Sequence, residues 1–349
     1  MRCHRLGQMH LTSADWPTFG WMTDLRPGLA NARSSQRFVV LGTLVEVVGS
    51  SPRPVGTQML FTGTSAIGYF SGGCLEADVA NHARAVFDDG QPRWLLYGKG
   101  SPWIDIRLLC GGSLRVLLER IPYDDPAVST LLELSAQRRR VLWGSDGDRR
   151  TARECDAVSE FTVNDIRYSL SYDPPWRVVI VGGDPIALAI ANLSVMSGFD
   201  TTIIRPNGPA SSPPIAGVSY VRGDVSGALA SIAPDAWTAV VTATHDDDID
   251  DAAILAAYHS APAYVGVLGS ARRLAARRKR LWAAGLRERQ IASLHAPIGA
   301  ARCGKAPWEV AASVIAEIMQ IRTDRATFMV SAGSDTQPRA IALQNVHEL

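Results

Sequence analysis

The chain is short of cysteine, of long apolar runs and of net charge, and each shortage removes a class of protein. Its five cysteines, Cys3, Cys74, Cys110, Cys155 and Cys303, are odd in number, widely spaced and form no CxxC pair. That argues against a disulfide framework or a zinc ribbon and suits a reducing, cytoplasmic compartment. No apolar run is long enough to cross a bilayer, so no membrane span is expected. Thirty-five Lys and Arg against 34 Asp and Glu leave a net charge of +1, so no overall field draws the chain to nucleic acid or to an anionic membrane. Met1 to Asp24 carries His, Trp and Pro but no apolar core of a secretory signal, and residues 1–34 read as an N-terminal extension. What remains, 349 residues with 46% hydrophobic and 20% charged side chains, describes a globular protein too long for one ordinary core, so two domains are expected.

The pattern changes at Asp173-Pro174-Pro175, where a double proline interrupts helix and sheet alike. Before it, residues 35–172 read as a mixed α/β domain. An apolar, β-branched strand covers Arg37 to Val48, the rigid loop Ser50 to Gly56 follows, and two short strands flank Thr62-Gly63-Thr64. A helix runs from about Leu75 to Phe87, strands cover Trp94 to Tyr97 and Leu114 to Glu119, and a helix covers Val128 to Arg139. After the prolines, residues 176–322 alternate strand and helix: strands at Arg177 to Val181, Thr201 to Ile204, Ala239 to Ala243 and Ala263 to Leu268, and helices at Ile186 to Ser197, Asp250 to His259, Arg272 to Ala284 and Pro307 to Arg322. That alternation predicts a Rossmann-like, doubly wound parallel sheet. Residues 323–349 show no sustained period and read as a tail.

Four stretches carry chemistry. Ser71-Gly72-Gly73-Cys74-Leu75-Glu76 sets a thiol after paired glycines and at the start of a helix. Bare backbone admits close approach of a ligand, and the helix dipole favours thiolate; the alternative is a tight turn around a buried structural Cys74. Cys110-Gly111-Gly112 repeats thiol and glycines, with a core thiol as its alternative. Arg53, held between Pro52 and Pro54, suits clamping a phosphate or a pterin edge. In the second domain, Thr244-His245-Asp246-Asp247-Asp248 follows a strand at the carboxyl edge, where open α/β sheets place ligands. Helix capping by some of the aspartates is the competing reading there. Gly269-Ser270-Ala271-Arg272-Arg273 resembles an anion pocket at a helix start, with Ser270 and Arg272 as the contacts. The dinucleotide fingerprint, by contrast, is poor: Gly182-Gly183-Asp184-Pro185 places an acid against the pyrophosphate position, and Arg205 stands where an acid would hold a ribose. NAD(P) binding is not the expected role, and an NADP-linked oxidoreductase is kept only as an alternative.

Six blocks in one order resemble the XdhC/CoxI family, the accessory proteins of xanthine dehydrogenase and related molybdenum hydroxylases. They are Gly49 to Gly56, Ser71 to Glu76, Leu109 to Gly112, Thr244 to Asp246, Tyr264 to Ser270 and Leu294 to Gly299, within a resemblance spanning about Val39 to Met319. The resemblance implies a cytoplasmic chaperone, not a turnover enzyme in the ordinary sense, that binds molybdenum cofactor, protects it, helps its sulfuration and inserts it into an apo-hydroxylase. The cofactor is molybdopterin or its cytosine dinucleotide. Implied companions are a cysteine desulfurase, cofactor-supplying proteins and a second copy of the chain. The site residues so implied are Cys74 beside or ligating the molybdenum, Arg53, Gly72, Gly73, Glu76, Cys110, Gly111 and Gly112 around pterin and phosphate, and His245, Ser270 and Arg272 as a second wall. An assembly scaffold that never touches cofactor is the other alternative. This chain departs from the family where the usual Gly-Ala-Gly-His turn is replaced by Gly182 to Pro185, where Arg205 replaces an acid, and at Cys303.

Overall fold

The computed structural model describes residues 22–63, 65–71, 73, 75–99, 112–156, 162–164, 167–300 and 303–331. The first half is built on an antiparallel five-stranded sheet of β1 (Val39–Val48), β2 (Gln58–Thr62), β3 (Ser65–Ile67), β4 (Arg93–Gly98) and β5 (Ser113–Ile121), in the order β3-β2-β1-β5-β4. β1 lies at the centre, which is why its first seven residues, Val39 to Val45, are all buried and do not alternate with exposed ones. Its side chains still part by the pleat. Val40 and Leu44 face a core shared with Val79, Ala83 and Val86 of α2 (Glu76–Asp89). Val39, Leu41 and Val45 face a second core.

That second core is closed by a four-stranded antiparallel sheet, order β7-β6-β9-β8, made of β6 (Val141–Ser145), β7 (Arg150–Glu154), β8 (Thr162–Asn164) and β9 (Arg167–Tyr172). Trp143, Tyr168 and Leu170 come from it, Val128 and Leu131 from α3 (Pro126–Ala136), and Leu25 and Leu29 from α1 (Arg26–Ser34) and the residue before it. α1 falls in the stretch read as an extension. With Leu25 and Leu29 each only 2% exposed, it is a wall of the first half.

The second half is a parallel sheet of β10 (Arg177–Gly182), β11 (Asp200–Ile204), β12 (Val218–Val221), β13 (Thr238–Ala243) and β14 (Tyr264–Val267), in the order β12-β11-β10-β13-β14. α4 (Pro185–Met196) and α9 (Pro307–Ser331) cover one face; α5 (Val225–Ile232), α6 (Asp247–Tyr258), α7 (Ala271–Ala283) and α8 (Glu288–Ala292) cover the other. The direction of winding reverses between β10 and β13, which makes their carboxyl ends the topological switch point. This is the expected Rossmann-like domain. α9 continues to Ser331, past the point where the tail was expected to begin.

Candidate functional site

Three of the sequence blocks meet at one end of the five-stranded sheet. Val48 at the end of β1 lies opposite Ser113 at the start of β5, which lies opposite Gly98 at the end of β4. β3 is antiparallel to β2 and β2 to β1, so β3 leaves the sheet at the same end, into the loop that opens α2. The backbones here approach closely. A Cβ on Gly112 would stand 2.5 Å from the Val48 carbonyl oxygen, and one on Gly98 would stand 2.1 Å from the Gly112 carbonyl oxygen. Gly112 is therefore required by this strand junction, before any ligand is considered. Cys74, Gly72, Cys110 and Gly111 lie outside the described residues.

Glu76 has a different role from the pterin contact expected of it. Its side chain turns back into its own loop: Oε1 accepts from the Phe70 amide (2.9 Å) and the Ser71 amide (2.8 Å), and Oε2 accepts from the Ser71 hydroxyl (2.9 Å), the Gly73 amide (2.8 Å) and the Leu75 amide (3.2 Å). A carboxylate offers about four lone-pair positions, so these donors saturate it. Burial pushes the carboxyl up, but the donors from Ser71 and Phe70 outweigh it and hold Glu76 below the ordinary carboxylate range. The loop is thus pinned by an ionised, buried carboxylate at its far side, and Ser71 adds a bond from the Leu75 amide to its hydroxyl at 3.1 Å. With Glu76 consumed in this way, the group of the cluster with an unused donor is Arg53. Its guanidinium carbon stacks 5.0 Å from the Tyr69 ring centroid, and its Nε is buried with no hydrogen-bond partner among the described residues. A buried charged donor left unpaired costs on the order of 1–3 kcal/mol or more, which an anionic or carbonyl-bearing ligand would recover. Tyr69 was not singled out in the sequence, since nothing in its neighbourhood shows that it lies under Arg53.

At the switch point, Asp184 and His245 form a pair. Asp184 caps α4 through Oδ1, accepting from the Ala187 amide at 2.7 Å, and its Oδ2 lies 2.9 Å from His245 Nε2. His245 sits at φ +62° and is 65% exposed. The helix N-terminus that would receive a pyrophosphate thus already holds a carboxylate. Arg205 lies against the same turn: its Cδ is 2.5 Å from where a Cβ on Gly183 would stand. The aspartates after His245 are structural. Asp246 caps α6, while Asp247 and Asp250 accept from Arg277 Nη2 at 2.8 and 3.1 Å. Ser270 holds the cap position of α7 without bonding its amides. A shallow cleft there is walled by Leu268, Ser270, Arg273 and Pro297, and Arg272 is not among the residues that line it.

The two groups are not joined by any hydrogen bond or ion pair among the described residues. Bonds between the halves run instead from Arg138 to Asp235 (2.5 Å) and to the Pro175 carbonyl (2.9 Å). Asp235 precedes β13, at the amino edge of the parallel sheet and opposite to His245.

The comparisons follow this division. The model described as the XdhC and CoxI family matches residues 32–98, and that described as the XdhC Rossmann domain matches residues 178–318. The chain is 30% identical over 292 residues to a molybdenum cofactor insertion chaperone, PaoD, of Escherichia coli, covering 83% of this chain and 86% of that one. It is 26% identical over 319 residues to a probable xanthine dehydrogenase subunit of Bacillus subtilis, covering 82% and 94%. Among solved structures, one described as a xanthine dehydrogenase from Bacillus halodurans superposes with a TM-score of 0.70 at 22% identity, over 87% of this chain and 97% of that one, which establishes a shared fold. The match in sequence, in the order of its blocks and in the two-part architecture places this chain in the XdhC and CoxI family.

Proposed function

We propose that this chain is a maturation chaperone for a molybdenum hydroxylase of the xanthine dehydrogenase family, with molybdenum cofactor as its cargo. The observation that carries the reading is the unspent donor of Arg53, stacked on Tyr69 beside a loop that Glu76 holds in shape. A pterin carbonyl or a phosphate oxygen satisfies that Nε. Gly73 sits at φ +123°, and no described residue comes within 4 Å of where its Cβ would be. Cys74 lies in this loop, between Gly73 and Leu75, and its thiolate is a soft ligand of the kind molybdenum takes. Gly72, Cys110 and Gly111 complete the same cluster in this reading. The molybdenum cofactor insertion chaperone of Escherichia coli supports the choice of cargo, and the probable xanthine dehydrogenase subunit of Bacillus subtilis supports the choice of client. Protection, assistance in sulfuration with a cysteine desulfurase as sulfur source, and insertion into the apo-hydroxylase form one cycle, carried out in the cytoplasm by a homodimer.

The test loads purified protein with molybdenum cofactor released from a hydroxylase, removes free cofactor by gel filtration and measures retained molybdenum. Wild type is expected to retain cofactor, and Arg53→Ala and Cys74→Ala to retain about tenfold less, as expected for loss of a charged hydrogen bond or a ligand. Equal retention by all three overturns the site.

A further inference from the structure

A built acceptor stands on the second half, beside β14. His295 extends the parallel sheet beyond β14: its amide donates to the Val265 carbonyl (2.9 Å) and its carbonyl accepts from the Val267 amide (2.9 Å). Its Nδ1 lies 2.9 Å from Glu317 Oε1 on α9. Glu317 Oε2 accepts from the Tyr264 hydroxyl at 2.6 Å and from the Gly299 amide at 2.8 Å. The His295 ring is packed on the Tyr264 ring, centroids 4.4 Å apart. Burial pushes the Glu317 carboxyl up, but these three donors outweigh it and keep Glu317 ionised.

The consequence is chemical. An ionised carboxylate facing Nδ1 fixes the proton there, so neutral His295 carries its lone pair on Nε2. A half-turn of the ring about Cβ–Cγ would put Cδ2 where Nδ1 stands and lose the Glu317 bond. No described residue bonds Nε2, and the side chain keeps 29% exposure while Glu317 behind it keeps 16%. The following residues, Ala296 and Pro297, wall the cleft that Ser270 and Arg273 also line. A fixed lone pair suits an N–H or O–H donor on a bound heterocycle.

From this geometry we infer that His295, oriented by Glu317 and Tyr264, is a hydrogen-bond acceptor for an N–H group of a pterin-type or nucleobase-type heterocycle held on the outer side of β14. The identification of the heterocycle with the cargo rests on the chaperone reading above. The structural part is read in the free protein: long-range ¹H–¹⁵N spectra are expected to show His295 with Nδ1 protonated and Nε2 bare, and the opposite tautomer overturns the proposal. The binding part uses molybdenum cofactor released from a hydroxylase as the probe. On loading wild type, the Nε2 resonance is expected to shift, and His295→Ala to retain at least about fivefold less molybdenum. Glu317→Gln is expected to weaken retention less and to populate both tautomers. A wild type that retains cofactor with the Nε2 resonance unmoved, or a His295→Ala protein that retains as much as wild type, overturns the contact alone. A wild type that retains no cofactor overturns the chaperone reading, and with it the assignment of this contact to the cargo.

Discussion

Glu76 illustrates how one side chain sets the shape of a binding loop without touching a ligand. Replacing it with glutamine swaps one acceptor oxygen for an amide that faces backbone donors. Glu76→Gln is expected to lower stability by about 1–3 kcal/mol, read from the denaturant midpoint at neutral pH, and to reduce cofactor retention with Cys74 and Arg53 both intact. The sign with pH follows from the depressed native carboxyl. The unfolded chain binds a proton at higher pH than the folded one, so the stabilisation is complete above the unfolded value of about 4.3 and fades as pH falls through the native value. The gap between wild type and Glu76→Gln should therefore narrow in acid; a gap that widens would refute the assignment. The glycine-and-cysteine block was legible in the sequence because its residue types are unusual together. The role of Glu76 was not, because which way a carboxylate at the start of a helix turns depends on the path of the loop before it. Glu317 was hidden for a related reason: it is 22 residues from His295, in a helix whose pattern reads as ordinary amphipathic packing.

Elements with one dominant signal were legible: the central strands β1, β10 and β13 from their continuous apolar runs, and α4, α6 and α7 from helical spacing after a turn. The missed ones lack that signal. α1 opens with Arg-Pro-Gly and buries only Leu29 and Ala32 within its length. β12 is an edge strand with half-exposed residues, and α5 is eight residues long with Gly227 inside it. The β10–α4 turn carries a prediction of its own kind. Gly182 sits at φ +149°, and a Cβ there would meet the Ala243 carbonyl oxygen at 2.4 Å. Gly182→Ala is thus expected to cost about 1–3 kcal/mol through overpacking and strain, visible as a lowered Tm, while Asp184→Ala costs about 1 kcal/mol as a lost helix cap. Because a carboxylate holds that helix end and Arg205 lies over Gly183, calorimetry with NADPH and NADH is expected to show no micromolar binding to wild type. Micromolar binding would restore the oxidoreductase alternative.

The two halves are coupled by charge as well as by chain. Arg138 bonds Asp235 through Nε and Nη2 at 2.5 and 3.0 Å and also reaches the Pro175 carbonyl in the linker. Arg140 reaches Asp173 at 2.5 Å, and its guanidinium lies 5.3 Å from the Trp237 ring centroid. Asp235 is further committed to its own strand entry, accepting from the Trp237 amide at 3.0 Å and the Thr238 hydroxyl at 2.7 Å. Burial pushes its carboxyl up, and Arg138 and Thr238 more than offset that, so the pair is charged at neutral pH. A joint of this kind ties the α3–β6 turn and the linker to the amino edge of the parallel sheet, opposite the carboxyl edge that carries His245. If the joint sets the relation of the halves, Arg138→Ala and Asp235→Ala should not add. A double-mutant cycle is expected to give a coupling of about 1 kcal/mol, at the upper end for partly exposed ion pairs because the bond is bidentate, and either single variant should expose the Asp173 to Pro175 linker to faster limited proteolysis. Additive effects with unchanged linker cleavage would mean that the apolar cores of the two halves, and not this ion pair, hold them in place.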